Sequence, residues 1–186
     1  MIKINKKFYY PTSTRKIIDG KRHYLVGEEK LPSVTSILAA CQSEEKKQKL
    51  AEWKEKVGEK EAERIKDNAA SRGTLMHTIL EGHILNRPVI DLTPEGQLAT
   101  KMARQIVDQG LTGKLEELWA AECVLFYPDM YAGASDGVGI YEGKEAIIDF
   151  KQTNKPKRKE WIEDYYLQLA GYAIAHNQIY QTNIQF

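Results

Sequence analysis

The sequence predicts a domain of the α/β (α+β) class, and three observations predict it. From Glu122 to Lys151 the chain reads as three short strands in succession, separated by Pro128-Asp129-Met130 and by Glu142-Gly143. From Ala69 to Leu85, Leu75, Met76, Ile79, Leu80 and Ile84 recur at helical spacing. Near the start, Lys16-Ile17-Ile18 and His23-Tyr24-Leu25-Val26 flank Asp19-Gly20, a strong hairpin turn dipeptide.

A chain of 186 residues is long enough for one domain with a substantial core. Residues 1–186 read as a single domain, with a hairpin and helical part over 1–68 and a core over 69–186. Hydrophobic content of 42% with 28% charged residues fits a globular chain and excludes a disordered one. The net charge of +1 points to no partner class by itself. Two cysteines, Cys41 and Cys123, are too few for a four-cysteine zinc or iron–sulfur site, and a reduced intracellular protein is expected. No apolar run approaches the ~20 residues of a membrane span, and the start of the chain has no apolar signal core. A cytoplasmic monomer with no membrane partner is therefore expected.

Taken in order, Phe8 to Val26 is the hairpin, and Ser33 caps a short helix that follows Pro32. Glu44 to Asn68 is charged and helix-favouring, with Trp53 and Val57 as apolar anchors and Gly58 as a break between two helices. It is either a solvated helical face or a wall over a site. Gly73, His77 and Glu81 then lie four residues apart, off the apolar stripe. Alone, His77 reads as a surface histidine paired with Glu81, and Gly73 as a point where another backbone comes close. Thr93 caps a helix that starts at Pro94, runs to about Gln109 and ends near Gly110. Leu111 to Glu117 reads as a further short helix or turn. The strands follow, over Ala120–Tyr127, Gly133–Ile140 and a run through Ile147 to Lys151. Next, Lys155, Lys157, Arg158 and Lys159 form either a solvated loop or an edge that grips phosphate. Glu160 to Asn177 is a helix with Trp161, Tyr165, Gln168 and Tyr172 in one stripe. Such a stripe suits a core, except that Gln168 is out of place there. Ile179 to Phe186 begins to read as another strand.

Strand geometry gathers the acidic residues. A two-residue turn at Glu142-Gly143 sets Asp136 opposite Asp149, and a three-residue loop at Pro128-Asp129-Met130 sets Glu122 opposite Asp136. Strict alternation puts Asp136 on one face with Ala134 and Val138. It puts Asp149 with Ile147 and Lys151, while Ile148 and Phe150 face a core. Opposed like charges destabilise a sheet, so three carboxylates beside a lysine imply a cation that offsets them. A hard divalent ion such as Mg²⁺ prefers such oxygen ligands.

These residues fall in an ordered set: R-G-T-x-x-H-x-x-x-E on a helix, an acidic residue on a strand, G-x-x-D, an apolar run closing in D-x-K, and Q-x-x-x-Y on a helix. Here they are Arg72-Gly73-Thr74, His77, Glu81, Glu122, Gly133, Asp136, Asp149-Phe150-Lys151, Gln168 and Tyr172. The set resembles the PD-(D/E)XK nuclease superfamily, in particular the RecB-type exonuclease branch and, within it, the mitochondrial genome maintenance exonucleases and their phage-encoded relatives. The stretches Pro32-Ser33-Val34-Thr35-Ser36-Ile37-Leu38 and Trp53 to Ala62 resemble the same group, so the likeness spans about Pro32 to Tyr172. The pattern differs at Ser135-Asp136, where the superfamily name has a proline. It also lacks the cysteine cluster of the branch's iron–sulfur members.

The resemblance implies a central mixed sheet flanked by helices and a metal-dependent DNA exonuclease of a bacterial or phage-infected cell, acting in repair or recombination on single-stranded ends. His77, Asp136, Asp149 and the Phe150 carbonyl would hold Mg²⁺ or Mn²⁺, and a nitrogen ligand favours Mn²⁺. Lys151 would orient the attacking water, and Glu122 would reach a second ion or its water. Arg72, Lys155, Lys157, Arg158, Tyr165, Gln168 and Tyr172 would contact DNA. A structure-specific endonuclease and a non-catalytic nucleic-acid-binding module remain open as alternatives.

Overall fold

The computed structural model describes residues 2–153 and 157–185. Among them are a four-stranded mixed sheet, a three-stranded sheet and five α-helices. In chain order these are β1 (Lys3–Ile4), β2 (Ser13–Ile18), β3 (Lys21–Val26), β4 (Glu29–Pro32), α1 (Val34–Ala40), α2 (Glu44–Val57), α3 (Glu59–Ile84), α4 (Pro94–Ile106), β5 (Leu115–Tyr127), β6 (Tyr131–Tyr141), β7 (Lys144–Ile148) and α5 (Glu163–Tyr180). None of the helices is long and apolar enough to cross a membrane.

Local chemistry explains most of the boundaries. Asp19 and Gly20 both have positive φ, at 50° and 72°, and close the β2–β3 hairpin. Glu142 and Gly143 do the same between β6 and β7, at 47° and 76°, the backbone signature of a primed two-residue turn. Ser33 and Thr93 cap α1 and α4 through their hydroxyls, and Pro94 stands in the first turn of α4. Gly58, at φ 85°, separates α2 from α3. α3 then runs unbroken across positions 68 and 69, where the sequence suggested dividing the domain.

The large sheet has the order β1-β5-β6-β7, with β1 parallel to β5 and the others antiparallel. Its two faces are covered differently. Met76, Leu80 and Ile84 of α3 and Ala99 and Ala103 of α4 pack with Leu115, Leu118 and Phe150. Tyr172, Ala173 and Ala175 of α5 pack with Trp119, Cys123, Leu125 and Val138. Met76 and Leu80 are fully buried, each contributing roughly 1.5–3 kcal/mol of burial free energy. The small sheet buries Tyr24, Val26 and Leu31 against Ala132.

Several sequence expectations are corrected. α4 ends at Ile106 and passes into a π-helical turn over Val107–Leu111, and β5 begins already at Leu115. Trp161 lies in a 3-10 turn (Lys159–Trp161) ahead of α5, so it does not share the helical stripe. α5 continues to Tyr180 and is closed by Gln181 at φ 54°; no strand follows among the described residues. β7 stops at Ile148, so Asp149 and Lys151 stand beyond the ladder rather than on it.

Strict alternation also fails at the centre of the sheet. Ala134 packs into the Tyr24 cluster but Val138 into the Trp119 cluster, on the other side. Across from them, Ala121 joins the Leu118 side and Cys123 the Leu125 side. Between those two, Glu122 sits in the left-handed region at φ 48°, which rotates the pleat by one face. Both strands change face at the same level, so the pairing Cys123↔Ser135 and Ala121↔Gly137 keeps one constant sum.

Candidate metal centre

The switch in the pleat lies where the acidic residues meet. His77 reaches them because its neighbours Met76, Ile79 and Leu80 lock α3 against the sheet and leave the imidazole at the edge of that buried stripe. Its Nδ1 lies 3.1 Å from Asp136 Oδ1 and its Nε2 lies 2.9 Å from the Phe150 carbonyl. A carboxylate and a carbonyl are both acceptors, so the ring donates to both only when it carries two protons, and an ion bound at either nitrogen would take the place of one of them. The imidazole pKa is accordingly raised, first by the Asp136 hydrogen bond and against the cost of burial. His77 is thus paired with Asp136 and Phe150, not with Glu81 as the helix spacing alone suggested.

Asp136 uses its other oxygen to accept the Phe150 backbone N–H. That bond and the Ser135 hydroxyl, which donates to the carbonyls of Gly137 and Ile148 at 2.9 and 3.0 Å, take over where the β7 ladder ends. They turn the chain so that Asp149 and the Phe150 carbonyl face the cluster. Nothing in the sequence marks Ser135 for this role except its place beside Asp136.

His77, Glu122 and Asp136 each place one ligand atom within 4.8 Å of the other two. This is the only such grouping of three among the described residues, and Asp149 stands outside it. Of the ligands expected from sequence, His77 and Asp136 stand in this group together with Glu122, while Asp149 lies beside it. Burial pushes the Glu122 carboxyl up to about 7, and the adjacent Asp136 charge adds to it. The residue is largely exposed, but its carboxylate points into the cluster. One imidazole nitrogen and two carboxylate oxygens form a donor set that suits a divalent ion. The crowding of negative charge is the deficit such an ion would offset. The residues present thus fit a metal.

Asp149 is held from two sides. Lys151 donates to its Oδ2, and the Gln168 amide donates to Oδ1 at 3.1 Å. The same Gln168 nitrogen donates to the Tyr172 hydroxyl at 3.0 Å. Burial raises the Asp149 pKa above the ordinary carboxyl range, and Lys151 opposes that shift. Gln168 and Tyr172 are 6% and 2% exposed. They stand behind Asp149 and position it, instead of offering a surface to DNA. Tyr172 in turn needs Gly133, because a Cβ there would lie 2.4 Å from its ring.

The other expected residues, where described, have partners of their own. Arg72 donates to the Gln152 side chain at 3.3 Å. Gly73 faces that same side chain at an ordinary 3.7 Å, and among the described residues no other backbone lies within 4 Å of where a Cβ would sit. Lys157 meets the Tyr165 hydroxyl at 2.5 Å, and the Lys151 ammonium lies 5.7 Å from the Tyr165 ring centre. Arg158 covers the exposed Trp161 ring at 5.5 Å. Lys155 lies outside the described residues.

No protein-family model and no curated protein matches this sequence.

Proposed function

We propose that this chain is a metal-dependent deoxyribonuclease that shortens DNA from single-stranded ends. One juxtaposition carries the reading. A helical imidazole and two strand carboxylates converge within 4.8 Å, beside a third carboxylate already paired with a lysine. Phosphodiester hydrolysis needs both parts. A divalent ion bound by His77, Glu122 and Asp136 would supply Lewis acidity toward a phosphate oxygen and an acidified water. The chain's own residues supply the rest. Asp136 orients His77 and fixes the Phe150 N–H. Lys151, held by Asp149, adds positive charge where negative charge develops on the phosphoryl oxygens. Gln168 keeps Asp149 from turning away. The adjoining basic and aromatic edge of Lys157, Tyr165, Arg158 and Trp161 suits single strands, whose bases offer open faces for stacking.

The test is digestion of end-labelled single-stranded, duplex and closed circular DNA with Mg²⁺ or Mn²⁺. Linear single strands should be degraded fastest, and Mn²⁺ should support the reaction at least as well as Mg²⁺ because of the nitrogen ligand. Cleavage of closed circles at the same rate would replace the exonuclease reading with an endonuclease. No cleavage of any substrate would remove the nuclease reading. Lys151→Ala should lower the rate by a factor on the order of 10²–10³ while DNA binding, read by anisotropy, stays near that of the unaltered protein.

A further inference from the structure

We propose that the cleft beside Lys151 is a nucleobase subsite, seating the base of the nucleotide next to the bond being cut. This rests on the nuclease reading above and adds a preference among bases to it. The cleft holds about 410 Å³ and is lined by Met76, Met102, Ile106, Gln105, Gln109 and Lys151. That volume exceeds what one base and its sugar occupy. Its position follows from the fold: Met76 precedes His77 on α3, and Lys151 follows Phe150. A phosphate at the carboxylate cluster would leave its neighbouring base beside Lys151, which lines this cleft.

The lining suits a flat heteroaromatic ring. Met102 and Ile106 give a soft apolar wall on α4, and methionine sulfur contacts aromatic rings favourably. The polar side is made by Gln105 and Gln109, both exposed; neither side-chain amide has a hydrogen-bond partner among the described residues. An amide presents one donor group beside one acceptor, the complement of a base edge with the same pair, such as that of adenine. The helix also changes form here. Gln105 belongs to α4, whereas Gln109 lies in the π-helical turn Val107–Leu111. Four residues apart, the two amides fall on one face of the helix and line one cleft.

The experiment compares the unaltered protein with a Gln105→Ala/Gln109→Ala double variant in two measurements. First, single-stranded oligonucleotides that differ in one base near the labelled end are digested with Mn²⁺, and the pause at that base is timed. The unaltered protein should cut on one side of adenine and of a pyrimidine at rates differing by roughly tenfold. The double variant should reduce that ratio to under about twofold. Second, an oligonucleotide carrying 2-aminopurine is titrated in Ca²⁺, and its fluorescence is followed. Stacking in the cleft should quench it for the unaltered protein and several-fold less for the double variant.

Equal rates for all bases with equal quenching by both proteins overturn the subsite. An unchanged bias in the double variant also overturns it. Should neither protein cut DNA, a difference in quenching keeps the subsite and removes the nuclease reading, while equal quenching removes both.

Discussion

Single side chains at this centre are fixed by contacts that leave little room for change. Gly133 is the clearest case: the missing Cβ is the space that the Tyr172 ring and hydroxyl occupy, at 2.4 and 2.6 Å from where it would sit. Tyr172 is buried and braces Gln168, which braces Asp149. Gly133→Ala should therefore destabilise the protein by about 1–3 kcal/mol, the usual cost of overpacking, read as a lower urea midpoint with unchanged slope. Glu122 carries a different constraint. Its carboxyl pKa is raised to about 7 by burial and by Asp136. The folded state therefore disfavours the charged form, and stability is lost as pH rises from about 4.5 toward 7. Glu122→Gln removes that charge. In the absence of metal at pH 8 it should raise stability by about 1 kcal/mol after allowance for solvent screening, or roughly 2–4 °C in Tm. The same variant should lose most of the stabilisation that Mn²⁺ gives the unaltered protein, which at a hundredfold excess over Kd is about 2.7 kcal/mol. Paired thermal melts with Mn²⁺ and with chelator check both halves.

At the scale of elements, α5 does two jobs from its two ends. Its first ten residues present Gln168 and Tyr172 to the centre. Its C-terminal half buries His176 completely among Phe8, Tyr10, Trp119 and Tyr180. The hydrogen bonds there fix a tautomer. Thr182 donates to the Asn177 side-chain oxygen at 2.8 Å, so its own oxygen accepts from His176 Nδ1 at 2.7 Å. Nε2 is then left to accept the Tyr10 hydroxyl at 2.9 Å. A neutral ring satisfies every partner, and burial pushes the His176 pKa down to about 4. Its contribution to stability is full above pH ~6.5, where the unfolded chain's histidine is also neutral, and is lost as pH falls toward 4. The loss should be on the order of 2–3 kcal/mol. Because Glu122 shifts stability the opposite way over the same range, the His176 contribution is read by comparison: the change in urea stability from pH ~7.5 to ~4.5 should differ between the unaltered protein and His176→Gln by about that amount.

Across the whole molecule, burial is uneven. The large sheet is covered by α3 and α4 on one face and α5 on the other, whereas α2 has no buried residue. It is tied to α5 by Lys46, which meets Asp164 at 3.2 Å. A surface pair of that kind adds little stability. Hydrogen exchange should therefore be fastest in α2 among the helices and slowest in β5, β6 and α5. Uniform protection across α2 and α5, measured by mass spectrometry, would contradict that ranking.

The chain alone settled what depends on near neighbours. Asp19-Gly20 and Glu142-Gly143 named their own turns, because few dipeptides tolerate positive φ twice in succession. Turn length then fixed the pairing sums that bring Glu122, Asp136 and Asp149 to one level. The stripe Met76-Ile79-Leu80-Ile84 fixed which face of α3 is buried, and Ser33 and Thr93 fixed where helices begin. Contacts between distant residues decided the rest. The left-handed turn at Glu122 inverted the pleat. The Ser135 hydroxyl and the Asp136 carboxylate ended β7 before Asp149. Gln168 was placed behind that carboxylate instead of before a ligand. Each of these outcomes pairs groups far apart along the chain, and their free energy exists only once packing has brought them within bonding distance. Local patterns therefore delivered the elements and their register, while the identity of the three converging donors was set by tertiary packing.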